Sequence, residues 1–192
     1  MRIGIIGTTG GARDLGERLA QAGHEVEVAP LDQGDRRSAG TGTTARVAKP
    51  PGASADRDAA DAVFVDAGGG EVPAAIEAAR PLVGPRSVVV PLVDSAGALG
   101  PFVAAFGAER VVAGRYALRS WRSFAPGELT PGELTLGEID HHASARVVRL
   151  ARTMEEAGVA AAVSLDIHAA LAPATPTSGP TSGGRLRPRG GS

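Results

Sequence analysis

Residues 1–28 read MRIGIIGTTGGARDLGERLAQAGHEVEV, and this stretch decides the fold. Arg2 to Ile6 is a short apolar strand that ends at Gly7. Leu15, Leu19 and Ala22, with Ala12 and Ala20 beside them, recur near the 3.6-residue period and predict a helix from about Gly11 to Ala22. Gly23 stands where a left-handed C-cap would end that helix. His24 to Ala29 then alternates as a second strand, and Pro30 closes it. Strand, glycine turn, amphipathic helix and second strand together outline a dinucleotide-binding unit.

The turn is G-T-T-G-G-A, where the fingerprint for such a unit is G-x-G-x-x-G. Gly7 fills the first place, which makes the tight turn, and Ala12 is an accepted third residue, which lets helix and strand pack closely. Thr9 departs from the pattern, because its branched Cβ stands where a pyrophosphate comes closest. Gly10 and Gly11 follow at once and would shift the close approach by one residue, while the Thr8 and Thr9 hydroxyls offer donors to phosphate oxygens. The helix N-terminus adds unpaired N–H groups. The competing reading is a glycine-rich N-cap turn with no ligand. At the end of the second strand, where an acid selects a ribose hydroxyl and an arginine a 2′-phosphate, the chain offers Leu31, Asp32, Asp35, Arg36 and Arg37. Asp32 suits the first role and Arg36 or Arg37 the second, so NADP(H) and NAD(H) both stay open.

Downstream the same alternation continues. Thr43 to Ala48 is a candidate strand inside a Gly/Pro-rich stretch. Ala62 to Val65, Ser87 to Val90 and Arg110 to Ala113 read as strands, with helices over Val72 to Ala79 and Ala96 to Phe106. The run Val88–Val90 lacks polar alternation and suits a sheet covered on both faces. Glu133 to Ile139 alternates as a strand, Ala143 to Ala157 is an amphipathic helix capped by Gly158, and Ala160 to Leu165 is a last strand. The pattern predicts an α/β, Rossmann-like, doubly wound and mostly parallel sheet in a single domain over residues 1–171. Residues 172–192, rich in Pro, Gly, Ser and Thr, do not offset the entropy of ordering and are expected to be a disordered tail. Arg185, Arg187 and Arg189 lie within it.

Composition excludes several classes. The 20 Lys and Arg balance 21 Asp and Glu, and aromatic residues are 3%, which leaves neither the charge nor the stacking platform of a nucleic-acid binder. The absence of cysteine removes disulfides and thiolate metal sites. No apolar run approaches the ~20 residues of a membrane span, and the N-terminus does not read as a signal peptide. A cytoplasmic protein is expected.

Few residues suit acid–base work. Asp66 and Asp94 each follow an apolar strand, where α/β sheets hold ligands, although each also suits a capping role. His24 opens a strand at the wrong end, His141 and His142 precede a helix, and His168 lies just before the tail. A metal held by the histidine pair lacks a third ligand, so no catalytic or metal-binding residue is assigned.

The stretches RIGIIGTTGGARDLGERLAQAGHEV, DAVFVDAGGGEVPAAIEAARPLVGPRSVVVPLVDSAG, FGAERVVAGR and ELTLGEIDHHASARVVRLARTMEEAGVAAAVSLDIHAAL together resemble the N-terminal domain of the ketopantoate reductase (2-dehydropantoate 2-reductase) family, over roughly residues 1–171. The resemblance implies a reaction of 2-dehydropantoate with NADPH to give pantoate, on the way to pantothenate. It also implies specific positions, most of which differ here. The glycine turn falls on Gly7, Thr9 and Ala12. The arginine for the 2′-phosphate falls on Leu31, so that Arg36 or Arg37 would substitute. A lysine position falls on Gly68. The L-Q-N-G stretch falls on Leu92, Val93, Asp94 and Ser95, placing Asp94 where an asparagine helps to hold cofactor and substrate. The W-x-K of the proton-donating lysine falls on Ala172, Pro173 and Ala174, and the only lysine of the chain is Lys49.

The family's second, helical domain is not recognisable, so exposed apolar surface and a homodimer or partner chain are expected. The cofactor-binding candidates are Gly7, Thr8, Thr9, Gly10, Gly11, Ala12, Arg36 and Asp94, and the expected substrate class is a small 2-keto acid. Two readings compete with an oxidoreductase impaired or inactive as an isolated chain. One is a non-catalytic dinucleotide-binding or regulatory protein, and the other a truncated or frame-shifted gene product. A reductase passing hydride to a deazaflavin would tolerate the turn, but the late strand–helix–strand segment argues against it.

Overall fold

The structure, a computed structural model, describes residues 1–7, 10–29, 31, 59–68, 70–117 and 133–172. Seven strands form one sheet: β1 (Arg2–Gly7), β2 (Glu25–Ala29), β3 (Ala60–Asp66), β4 (Val83–Leu92), β5 (Val112–Ala117), β6 (Glu133–Glu138) and β7 (Ala160–Val163), in the order β2-β1-β3-β4-β5-β6-β7. All neighbours are parallel except β5 and β6, which run antiparallel with Val112 opposite Glu138. The fold is therefore the expected single α/β domain, mostly parallel and Rossmann-like.

Helices cover both faces. On one lie α1 (Gly10–Gln21) and α4 (Ala145–Glu156), packing Leu15, Leu19, Val147, Leu150 and Met154 onto Ile3, Ile5, Phe64 and Val90. On the other lie α2 (Val72–Ala79), α3 (Gly100–Phe106) and the one-turn α5 (Ile167–Ala170), packing Ile76, Phe102 and Ile167 onto Ile6, Val63, Val65 and Val89. Consecutive side chains of a strand point to opposite faces. A strand covered on both sides must then be apolar throughout, which is why Val63, Phe64 and Val65 are all fully buried. Gly23 and Gly158 take the left-handed conformation, φ 86° and 73°, that the sequence assigns to them at the ends of α1 and α4.

Several boundaries differ from the sequence reading. The helix expected over Ala96 to Phe106 opens as a 3-10 turn, Ala96–Leu99, before α3. The strand expected at Arg110 begins only at Val112, because Ala108–Arg110 is another 3-10 turn. β4 starts at Val83 rather than Ser87, reaching back through an irregularity that contains Gly84 and Pro85. The candidate strand at Thr43 to Ala48 and the tail from Pro173 lie outside the described residues.

Among the described residues no helix is long and apolar enough to cross a membrane. The exposed large hydrophobic residues among them are Met1, Val148 and Leu165, so the broad exposed apolar face expected from the sequence is not found there.

Candidate nucleotide-binding site

The chain leaves β1 for β2 on one side, while β3 pairs with β1 on the other, so the sheet order reverses at the carboxyl ends of β1 and β3. Open α/β sheets hold their ligands in the crevice at such a point. Gly7 closes β1 there, opposite Asp66. A Cβ on Gly7 would lie 2.8 Å from the Asp66 carbonyl oxygen and 3.2 Å from the Ala12 Cβ, so only glycine brings strand, strand and helix this close. Ala12 is 1% exposed, which explains the small residue at the third fingerprint position. Gly11 is buried with it, and α1 begins at Gly10, so the positive end of the helix lies beside the crevice. Thr8 and Thr9 lie outside the described residues.

The other predicted positions divide. Asp66 is half-buried at the crevice, and Asp94 is exposed just beyond β4, past Val93, whose N–H donates to the Gly114 carbonyl at 2.9 Å. Asp94 does not cap the following turn, whose N-cap residue is Ser95 without a side-chain hydrogen bond. Leu31 is 5% exposed and packs in the core cluster with Ile6 and Val65, so this position supplies no contact for a phosphate. Asp32, Asp35, Arg36, Arg37 and Lys49 lie outside the described residues. At the lysine position, the Gly68 N–H donates to Glu71 Oε2 at 3.3 Å. Asp66 at the end of β3, Glu71 at the start of α2 and Asp94 just beyond β4 thus lie on the carboxyl side of the sheet, as does the positive start of α1.

No histidine reaches this crevice. Because β6 runs antiparallel to β5, the segment beyond Glu138 lies at the opposite end of the sheet. There His141, held at φ 63°, stands 3.5 Å from Asp166, and its ring centroid lies 5.3 Å from that of His168. His168 Nε2 is 3.1 Å from the Ile139 carbonyl, and His142 Nδ1 is 2.5 Å from Asp140. Among the described residues no three metal-ligating side chains are grouped to hold a metal.

Two polar clusters escape the sequence reading. Glu138 is 2% exposed and accepts from Arg146 Nε at 2.7 Å and Nη2 at 2.5 Å. Ser144, the N-cap of α4, donates its hydroxyl to Glu138 and accepts from the Val147 N–H at 3.3 Å, while Arg146 also donates to the Glu109 carbonyl. Burial pushes the Glu138 carboxyl up, but the hydrogen bonds from Arg146 and Ser144 and the Arg146 charge outweigh it and leave its pKa below the usual value. The signal was present: Glu138 continues the inward phase of Leu134 and Leu136 in ELTLGE. In the second cluster the Tyr116 hydroxyl, at the crevice end of β5, donates to Asp14 Oδ2 at 3.3 Å. The same oxygen accepts from Arg18 Nε at 2.9 Å, a bond that raises the Arg18 pKa.

This glycine-closed crevice at a switch point is the arrangement of Rossmann-like domains related to NAD(P)-dependent reductases. No protein-family model and no curated protein matches the sequence. Solved structures do. The chain is similar to the 2-dehydropantoate 2-reductase of Geobacter metallireducens, with 26% identity and a TM-score of 0.66 over 87% of this chain and 59% of that one. The enzyme of the same name from Methylococcus capsulatus is 24% identical, with a TM-score of 0.60 over 89% and 59% of the two chains. A D-mandelate dehydrogenase solved with NADH is 16% identical, with a TM-score of 0.65 over 89% and 58%. The chain has the ketopantoate-reductase-like fold and spans about 59% of the length of these relatives.

Proposed function

We propose that this chain is the nucleotide-binding part of a ketopantoate-reductase-like oxidoreductase, binding NADP(H) with its pyrophosphate on the start of α1. The carrying observation is the Gly7–Asp66–Ala12 close approach at the switch point, which sets the start of α1 against the carboxyl ends of β1 and β3. Gly10, Gly11 and Ala12 fit a pyrophosphate, with Thr8 and Thr9 as hydroxyl donors and Asp94 at the nicotinamide side. Arg36 is the proposed partner of a 2′-phosphate, since Leu31 is buried; if Asp32 serves instead, the cofactor is NAD(H). Bound there, the nicotinamide would supply hydride to a small 2-keto acid, 2-dehydropantoate in the family's reaction.

Ketone reduction also needs a group that protonates the developing alkoxide. No lysine stands among the described residues, and Gly68 and Ala172 occupy positions of the family's functional pattern. That favours a chain impaired or inactive on its own, and it supports a second reading, a non-catalytic dinucleotide-binding or regulatory protein. A homodimer or partner chain and a cytoplasmic location accompany both readings.

Titration with NADPH and with NADH, followed by nicotinamide fluorescence, tests them. Saturable binding with oxidation of NADPH that depends on 2-dehydropantoate is the result for the enzyme. Binding without oxidation supports the second reading, and no binding to either nucleotide overturns both.

A further inference from the structure

Between β3 and β4 the register jumps from Ala60↔Val83 to Ala62↔Val88, so β4 advances five positions while β3 advances two. The three extra residues, Gly84, Pro85 and Arg86, form a bulge, the setting in which a sheet tolerates proline. Ser87, 4% exposed, pins it: its Oγ accepts from the Gly84 N–H at 2.8 Å and donates to the Ala60 carbonyl at 2.5 Å. Bulges re-aim side chains and break the sheet locally. This one borders a recess of about 450 Å³ lined by Arg80, Val83, Pro85, Ala105, Phe106 and Arg110. That volume lies within the range of small-molecule sites.

Each arginine of the recess has one carboxylate beside it, and both carboxylates stand on the solvent side. Arg110 Nη1 donates to a neutral acceptor, the Phe106 carbonyl, at 3.0 Å, and the Glu109 carboxylate stands 3.6 Å away. Arg110 Nε is buried and meets no acceptor among the described residues. Arg80 Nε bonds Glu77 at 2.9 Å, and its Cζ lies 6.0 Å from the Phe106 ring centroid. The Glu77 and Glu109 side chains are 71% and 69% exposed, so water screens both. A guanidinium partly withdrawn from water attracts an anion more strongly than one in bulk solvent.

We propose that this recess binds a small organic anion, its carboxylate or phosphate head between Arg80 and Arg110 and a flat apolar body against Phe106, Val83 and Pro85. Arginine suits the planar head, and the ring and proline faces suit the body. The site is separate from the nucleotide crevice: it lies at the amino end of β4, a ten-residue strand. The ends of β4 pair with Ala60 and Asp66 of β3, six steps apart, which at about 3.3 Å per residue separates them by roughly 20 Å.

The test uses three probes on the whole chain, read by calorimetry and by the ring resonances of Phe106: benzoate (head and body), inorganic phosphate (head alone) and benzyl alcohol (body alone). Benzoate is expected to saturate at millimolar concentration and shift Phe106, with phosphate weaker and benzyl alcohol not saturating. Arg80→Met and Arg110→Met should each weaken benzoate by about tenfold, with nucleotide binding the same as in the unaltered chain. Failure of benzoate to saturate, equal binding of benzyl alcohol or phosphate, or undiminished binding in the Met variants overturns the proposal. If Arg110→Met does not fold, Arg80→Met, with its side chain 52% exposed, decides alone.

Discussion

The carboxyl ends of β1 and β3 and the far end of β6 are built by opposite means. At the first, main chain meets main chain: Gly7 abuts Asp66 and Ala12, and the start of α1 supplies the donors. At the second, side chains do the joining, with Glu138 gripped by Arg146 and Ser144 beneath the start of α4. A crevice at a switch point, beside a helix start, offers a ligand both room and donors. A buried carboxylate with its bonds satisfied leaves neither, and instead fixes where α4 departs from the sheet. Breaking each should therefore have different consequences.

The largest effect is expected from Arg146→Met. It leaves the Glu138 carboxylate, 2% exposed, without its main partner, and should lower stability by about 3 kcal/mol, read as a shift of the urea midpoint. Nucleotide binding by the fraction that stays folded should be unchanged. A loss below about 0.5 kcal/mol would show the pair to behave as a surface contact. Gly7→Val is the counterpart. Its Cβ would lie 2.8 Å from the Asp66 carbonyl, and overpacking of this kind costs about 1–3 kcal/mol. Here NADPH binding should disappear even where circular dichroism shows the chain folded. Retained binding would remove the crevice from the functional reading.

The same contrast explains what the sequence revealed. The crevice end was legible because glycine spacing and the switch from period two to period 3.6 are local signals, and Gly7, Gly23 and Ala12 stand where those signals place them. The bulge at Gly84–Arg86 was not legible, since Gly-Pro reads as a strand end and only pairing with Ala60 shows that β4 continues through it. The pairing of Arg146 with Glu138 was not legible either, because the two come from different elements. Leu31 appeared as a lost phosphate contact, and its burial beside Ile6 and Val65 shows that the position serves the core instead.

Acid sharpens the comparison. The folded-state pKa of Glu138 lies below its ordinary value of 4.5, so its contribution is complete above that pH and is lost as pH falls through the folded value. The unaltered chain should therefore lose stability on acidification below about pH 4.5 more steeply than Glu138→Gln, whose side chain does not titrate. Equal slopes in urea midpoints across that window would remove Glu138 from the acid response.

The smallest effect concerns the bridge between the crevice end of β5 and α1. Tyr116→Phe removes a 3.3 Å hydrogen bond to Asp14, but Asp14 keeps Arg18 at 2.9 Å, so no buried charge is stranded. The cost should be about 0.5–1 kcal/mol. Asp14→Asn should cost more, because it takes the counter-charge from Arg18, whose pKa that hydrogen bond holds up. If the bridge only ties strand to helix, both variants should bind NADPH as the unaltered chain does. A loss of affinity in Tyr116→Phe larger than its loss of stability would instead place the hydroxyl at the ligand, because packing α1 less firmly cannot weaken binding without first weakening the fold.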